Sequence, residues 1–185
     1  MTEQPRNLMS QVLADLDRHE GYRFYAYPDP LSQMYKLRPK LPWGFKPASQ
    51  LTTLNAVDIA SGKPWTVGYG YTIGVTPATT QSRQEAIKIM QSHVQTNINE
   101  LEKAFPEWKN QPFVIQTVLV NMVYNLGIEG LMGFKNTLRY IAGKNYTTAA
   151  DNLEQSKWAK QVGVRAKELI KRVRTLTIEP EHLVN

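Results

Sequence analysis

The run of residues 112–125 constrains the fold of this chain more than any other feature. From Pro112 to Asn125 nearly every side chain is apolar, with no charged residue among them. A helix that is apolar all round must be surrounded by other elements, because no face of it suits water. The run therefore predicts a buried central helix. A chain of 185 residues is long enough to build one domain with a sizeable core around it.

Apolar residues at helical spacing predict further helices on both sides of this segment. One helix is expected from about residue 5 to 19. Another starts at a capping box formed by Ser82 and Glu85 and extends to about Lys103. Shorter helices are predicted at about 134–142, 147–161 and 164–175.

Two short segments have the pattern of strands instead. Residues 22–27 alternate and are rich in aromatic side chains, and two prolines end the segment around Asp29. Residues 65–71 contain two glycines that permit close backbone approach. The two segments predict a small hairpin, so the expected fold class is α+β and mainly α-helical.

Residues 31–62 separate the two predicted strands. Three prolines exclude a regular helix over 36–48. The segment 31–62 contains four basic residues and a single acidic one, Asp58. This stretch is interpreted as a basic insertion in the hairpin, with a short helix near 53–60.

Composition narrows the classes of function without choosing one. The formal net charge is +6, which favours an acidic partner such as nucleic acid, anionic lipid or an anionic wall polymer. The absence of cysteine excludes disulfides, thiolate catalysis and cysteine-bound zinc. The first residues have no apolar core, so no signal peptide is expected, and no apolar stretch approaches the roughly 18–20 residues of a membrane span.

Three residues near the hairpin fit the chemistry of glycoside hydrolysis. That reaction uses one protonated carboxyl as the acid and a second, ionised carboxylate. Glu20 follows the first helix beside Tyr22 and Phe24, where an apolar setting would favour the acid form. Asp29 lies in an open turn and should stay ionised, and Thr66 could hold the attacking water. By spacing alone, all three could equally be solvated or ordinary strand residues.

Several ordered segments resemble the phage T4-type lysozymes, glycoside hydrolase family 24. Residues 19–29 look like the family's segment from its catalytic glutamate to its aspartate, and residues 65–70 resemble its threonine and glycine hairpin. The likeness continues downstream and covers most of the chain except 31–62 and about 74–110. It continues in the segments 121–127, 133–139, 149–153, 156–158 and 165–167.

The resemblance implies a two-lobed fold and an activity. A small lobe of about residues 20–80, including the insertion 31–62, would face a helical lobe of about 1–19 plus 81–185 within a single domain, with glycan in the cleft. Glu20 would be the general acid, Asp29 the base or charge-stabilising partner, and Thr66 the group that orients water. The bond cleaved would be the β-1,4 link between N-acetylmuramic acid and N-acetylglucosamine, with inversion.

Position matching to the family also implies supporting residues. Thr72, Tyr124, Thr137 and Asn152 would contact the glycan, although Tyr124 and Thr137 could equally be core or cap residues. Arg165 would lie near the catalytic glutamate and tune or orient it, whereas a generic residue on a basic helix would simply be solvated.

The chain departs from the family pattern at two places. The family has only a few residues between its aspartate and threonine, whereas here the hairpin must close over a long excursion to bring Thr66 back to Asp29. Tyr71 replaces a histidine that often follows the glycines, which should affect support and not chemistry. His19 and His93 have no metal-ligand spacing with carboxylates, so neither metal nor cofactor is expected.

The region 155–175 contains seven basic residues and a single acidic residue, Glu168. One interpretation is a surface helix packed on the larger lobe. The other is a basic amphipathic helix that engages anionic outer-membrane lipid, with Lys171, Arg172 and Arg174 as its test residues. The two interpretations can coexist.

The sequence thus predicts a monomeric endolysin that acts on bacterial peptidoglycan and lyses the host cell for phage release. It would remain in the host cytoplasm until a holin opens the inner membrane, and then act in the periplasm. The open alternatives are a lytic transglycosylase and a basic, membrane-active antibacterial protein. Nucleic-acid binding is not expected, since no recognisable motif for it is found.

Overall fold

The computed structural model describes residues 7–29, 32–34, 56–182 and 184. The structure is 68% helix and 8% strand, with a small antiparallel sheet of two strands. The predicted class, α+β and mainly α-helical, is confirmed. Most of the predicted insertion 31–62 lies outside the described residues.

The elements are numbered in chain order within the described parts of the chain. The helices are α1 (Leu8–Glu20), α2 (Ala56–Ser61), α3 (Arg83–Ala104), α4 (Phe113–Met132), α5 (Lys135–Ala142), α6 (Tyr146–Glu154), α7 (Lys157–Val162) and α8 (Val164–Thr175). The strands are β1 (Arg23–Pro28) and β2 (Trp65–Gly68), and short 3-10 turns occupy Pro106–Asn110 and Pro180–His182.

One predicted helix is wrong. A single helix was expected over 147–161, but the structure has α6 and α7 with a break at Gln155 and Ser156. Ser156 has an extended backbone, and its hydroxyl accepts the N–H of Ala159 at 3.1 Å. A serine that caps a new helix in this way competes with continuation of the old one.

The chain divides into two compact units, Glu20–Met90 and Met1–His19 together with Gln91–Asn185. One boundary lies between His19 and Glu20. The other lies between Met90 and Gln91, inside α3, which therefore begins in the smaller unit and ends in the helical one.

The smaller unit is built on the hairpin. β1 and β2 are antiparallel, with Tyr27 opposite Thr66 and an irregularity between Arg23 and Tyr27. The other edge of β1 is bonded too, because the Ala26 N–H donates to the carbonyl of Thr79 at 3.0 Å. β2 is buried along its whole length, so it forms the core of this unit.

Gly68 ends β2 in a conformation that only glycine suits. Its φ is +65°, and a Cβ added there would collide with the side-chain oxygen of Gln81 and press on Ala86. The glycine therefore allows the strand to turn directly against the start of α3.

The helical unit has α4 at its core, which confirms the predicted buried central helix. Residues from Val114 to Val123 are buried almost without exception. The polar side chains among them bond back to the helix: Thr117 Oγ1 donates to the carbonyl of Val114 at 2.8 Å, and Asn121 Nδ2 to that of Thr117 at 3.0 Å. The helix continues past the predicted end, and Gly127 interrupts its regular geometry at φ 70°.

Helix α4 is also long and apolar enough, by length and composition, to cross a membrane. The expectation that the chain has no membrane span stays a prediction. Of its most apolar 18-residue window, 56% is buried in the structure. Core helices of soluble proteins pass the same test, so the finding is weak evidence for a membrane span.

A set of ionised side chains joins α1 to α8 inside the helical unit. Asp15 and Arg172 have fully buried side chains, and the guanidinium donates to the carboxylate at 2.6 and 3.1 Å. Arg172 also donates to Glu168 at 2.7 Å, and Glu168 accepts from Arg18 at 2.5 Å. These four residues are called the charge network below.

The chain beyond α8 is tied to α1 by one side chain. Gln11 is buried, and its amide nitrogen donates to the carbonyl of His182 at 2.7 Å. Its amide oxygen accepts the N–H of Val184 at 3.0 Å. Together with the buried Ile178, these bonds dock the segment after Thr175 on the helical unit.

Candidate active site

Glu20 is the last residue of α1. The helix is held by buried Val12 and Leu16, and it ends because Gly21 adopts φ +68°. The expectation of an apolar setting around Glu20 is wrong, since Glu20 is exposed and Phe24 is 44% exposed. The reason lies in β1, whose first three residues are exposed and whose last three are buried.

Asp29 and Thr66 lie side by side, although 36 residues separate them in the sequence. The hydroxyl of Thr66 donates to Oδ2 of Asp29 at 2.9 Å. The backbone reinforces this contact, because the Asp29 N–H donates to the carbonyl of Pro64 at 3.0 Å. The long excursion therefore closes at the positions required for a carboxylate and a hydroxyl to act on one water.

Thr66 is almost fully buried, with 1% of its surface exposed, whereas Asp29 is half-buried. A hydroxyl that donates its proton to the carboxylate keeps lone pairs that can accept a hydrogen bond from water. A carboxylate oxygen of Asp29 can accept a hydrogen bond from the same water. The pair can thus orient and activate a water molecule.

Tyr27 is a buried residue of this site that sequence reasoning missed. It pairs with Thr66 across the hairpin. Burial, together with the negative charges of Asp29 and Glu20, raises the pKa of the Tyr27 phenol to about 12, although Arg23 lowers it somewhat. Both predicted catalytic carboxylates therefore act on the same neutral phenol. The sequence could have indicated Tyr27 by its position, two residues before Asp29 in a strand predicted to pair with the strand of Thr66.

The turn after β2 carries Tyr71 and Thr72. Tyr71 forms a two-bond bridge with Val67, each bond 2.9 Å long, so it supports the turn. Thr72 is exposed just beyond it. A glycan contact by Thr72 stays a prediction.

Three predicted glycan contacts belong to the helical unit. Thr137 on α5 is buried, and its hydroxyl donates to the side-chain oxygen of Asn152 on α6 at 2.7 Å. Thr137 therefore orients Asn152, whose amide N–H groups are then available for another partner. Tyr124 on α4 is half-buried.

Asn152 lies in the wall of a polar pocket with a volume of about 510 Å³. The other lining residues come from the start of α5 and the α6–α7 junction: Gly133, Phe134, Lys135, Asn136, Gln155 and Ser156. Amide, hydroxyl and ammonium groups in one concave surface suit a hydroxyl-rich or anionic ligand.

Arg165 is the second residue of α8 and is 8% exposed, so its interpretation as a solvated surface residue is wrong. Buried guanidinium groups are retained only where they are paired or functional. Its predicted role toward Glu20 stays a prediction.

The basic region 155–175 is largely neutralised within the chain. Arg172 is fully buried in the charge network, so it cannot form part of a membrane-binding face. Lys171 pairs with Glu179 at 3.1 Å, and Arg174 pairs with both Asp151 and Glu154 at 2.8 Å. The interpretation as a packed helix fits these contacts. Lys157, Lys160 and Lys167 are exposed cations of this stretch, as are the paired Lys171 and Arg174.

One cluster in the described residues has the spacing of a metal site. Ligand atoms of Glu168, Glu179 and His182 lie within 4.8 Å of one another. Arg172 and Lys171 already pair with these carboxylates, so their charge is compensated without an ion. This cluster therefore gives no reason to infer a metal.

Comparison with known proteins points to the phage lysozymes. A family model described as phage lysozyme matches residues 50–175, which is more than half of the chain and includes Thr66 but not Glu20 or Asp29. The chain is also similar to a protein named "Probable T4-type lysozyme 1" from Dictyostelium discoideum. The two are 27% identical over 103 residues, which is 55% of this chain and 61% of that relative's length.

Proposed function

The chain belongs to the phage lysozyme family, and on this premise we propose that it is a muramidase. The proposed reaction is hydrolysis of the β-1,4 bond between N-acetylmuramic acid and N-acetylglucosamine in peptidoglycan. Glu20 donates a proton to the leaving oxygen. Asp29 and Thr66 orient the water that attacks the sugar, with Asp29 as base.

The contact between Thr66 and Asp29 is the observation that carries the proposal. A hydroxyl 2.9 Å from a carboxylate, with each group fixed by hairpin bonds, is suited to holding one water. The position of Glu20 is consistent with this, because its charge acts on Tyr27 together with that of Asp29. An inverting reaction needs an acid and a water-activating base on opposite sides of the scissile bond.

The proposal extends to substrate contacts. Thr72 and Tyr124 are assigned to the glycan, as is Asn152, held by Thr137. The polar pocket beside Asn152 supports this assignment, because it offers several hydrogen-bonding groups in one concave surface. Arg165 is proposed to orient Glu20.

The test is hydrolysis of purified peptidoglycan followed by mass spectrometry of the released muropeptides. Glu20→Gln removes the acid and should lower the rate by at least 100-fold, in line with the usual contribution of general acid catalysis. Glu100→Gln, an exposed glutamate on α3, is the matched control and should keep full activity. Full activity of Glu20→Gln would end the proposal.

The same products separate hydrolysis from lytic transglycosylation. A transglycosylase needs the glutamate but no water-orienting pair, and it leaves 1,6-anhydromuramyl ends. Thr66→Val, which keeps the shape but removes the hydroxyl, should slow a hydrolase strongly. Reducing ends together with a slow Thr66→Val variant support hydrolysis. Anhydro ends would overturn it.

In the infected cell, the proposed role is lysis of the bacterial host for phage release, after a holin gives the protein access to the periplasm. An added antibacterial action on anionic outer-membrane lipid would depend on Lys157, Lys160 and Lys167. Replacing these three by Gln should then weaken lysis of intact cells while hydrolysis of purified peptidoglycan is unchanged. Equal effects in both assays would exclude a separate lipid contact.

A further inference from the structure

The last turn of α1 is held by a carboxylate from the other end of the chain. Glu168 on α8 accepts a bond from Arg18 at 2.5 Å through Oε1, and its Oε2 lies 3.3 Å from Nε2 of His19. Arg18 and His19 are the two residues before Glu20. Both oxygens of one carboxylate are therefore used to fix the turn from which the proposed catalytic acid projects.

Glu168 is itself held in place by Arg172 on the same helix. Arg172, one helical turn away, donates to Oε1 of Glu168 at 2.7 Å and also binds buried Asp15 on α1. The Glu168 side chain is only 12% exposed. A carboxylate fixed by a buried guanidinium cannot move freely between rotamers, so it transmits a defined position to whatever it binds.

The end of a helix is the part that needs such support. The last carbonyls of α1 have no partner within the helix, and helix ends fray. Gly21 follows Glu20 directly with φ +68°, so the helix stops at Glu20. Glu20 is exposed, and its position depends on the turn that carries it.

We propose that Glu168 is a positioning residue for the catalytic acid, acting through Arg18 and His19 to hold the final turn of α1 and therefore Glu20. This inference rests on the proposed muramidase function. Glu168 does not touch the substrate in this proposal. It lowers the freedom of the general acid, which matters because small misplacements of a catalytic group reduce rates strongly.

The experiment compares two carboxylates of the same neighbourhood. Glu168→Gln releases the final turn of α1, whereas Glu179→Gln removes a carboxylate that pairs with Lys171 and with Nε of Arg172 but with neither Arg18 nor His19. Both variants should be less stable than the wild type. Only Glu168→Gln should lower kcat on peptidoglycan, by about tenfold, with KM within about twofold because the substrate contacts are intact.

A second readout does not depend on activity. Hydrogen exchange of the backbone amides of residues 18–20 should accelerate about tenfold in Glu168→Gln and stay unchanged in Glu179→Gln. If exchange accelerates in Glu168→Gln but the wild type has no muramidase activity, the support of the end of α1 by Glu168 stands and the proposed function fails. Unchanged exchange and unchanged kcat in Glu168→Gln would overturn the positioning role.

A third variant guards against misfolding of Glu168→Gln. Arg18→Gln combined with His19→Gln frees the final turn but leaves the bond from Arg172 to Glu168 intact. It should lower kcat by the same factor as Glu168→Gln. Adding Glu168→Gln to it should lower kcat no further, because both changes break one interaction. Additive losses, or equal losses of kcat in Glu179→Gln, would show a general structural effect and overturn the proposal.

Discussion

Replacing Arg172 by Met should lower the free energy of unfolding by about 3 kcal/mol. The substitution roughly keeps the volume and the apolar stem but removes the guanidinium partner of the Asp15 carboxylate in a site with no exposure. Breaking a buried ion pair from one side typically costs about 3–5 kcal/mol. The lower end applies here, because Gln11 and Arg18 still bind Asp15, each at 3.2 Å.

The same helix supplies a matched control. Arg174 also binds two carboxylates, those of Asp151 and Glu154, each at 2.8 Å, but its side chain is 37% exposed. Exposed pairs contribute about 0–1 kcal/mol, since water screens the charges and the side chains lose entropy. Arg174→Met should therefore cost at most about 1 kcal/mol despite its two ion pairs.

Urea denaturation followed by circular dichroism measures both values, and thermal unfolding checks them. A loss of about 3 kcal/mol corresponds to a fall of about 6–12 °C in Tm for a chain of this size. The double variant Asp15→Leu with Arg172→Met removes both charges and should recover most of the loss. Similar costs for Arg172→Met and Arg174→Met, or no recovery in the double variant, would refute the reasoning from burial.

Three further predictions concern local features. Gly68→Ala should cost more than Gly74→Ala, because both have positive φ but only a Cβ at residue 68 forces the Gln81 side chain to move and presses on Ala86; equal losses of Tm would contradict this. Ser82→Ala should cost about 1 kcal/mol by removing the cap of α3, measured by urea denaturation. Burial raises the pKa of the Glu168 carboxyl, but a hydrogen-bonded imidazole and two guanidinium groups outweigh it and lower the pKa to about 2. The ionised carboxylate therefore stabilises the folded state fully above pH 4.5, and this contribution is lost as the pH falls toward 2. After screening, the free energy of unfolding should fall by about 1–2 kcal/mol over this range. In Glu168→Gln, the free energy of unfolding should depend less on pH over the same range.

The elements of the fold followed closely from periodicity in the sequence. The core helix α4 and both strands of the hairpin lie where the apolar pattern predicted them, because burial of one face or of all faces leaves a direct trace in residue order. The break between α6 and α7 left a weaker trace. A single capping side chain, Ser156, decides it, and the apolar spacing continues through the break.

Pairings between distant residues were the part that periodicity could not supply. Arg172 was counted with the basic surface, whereas its partner Asp15 lies 157 positions away. Charge type gives no information on burial until a partner is located in space. The contact of Thr66 with Asp29 was expected only through the family resemblance, and the buried Tyr27 opposite Thr66 was not expected at all.

The hydrogen bonds that close the hairpin at Asp29 have a consequence for engineering. Two hydrogen bonds join the ends of the segment between the strands. The Asp29 N–H donates to the carbonyl of Pro64, and the Thr66 hydroxyl donates to the Asp29 carboxylate. The entropic cost of closing a flexible loop grows only by about 0.6 kcal/mol for each doubling of its length. These two bonds make the geometry of Asp29 and Thr66 independent of the length of the segment between them. The segment between Asp29 and Pro64 is therefore the natural place to insert an additional module.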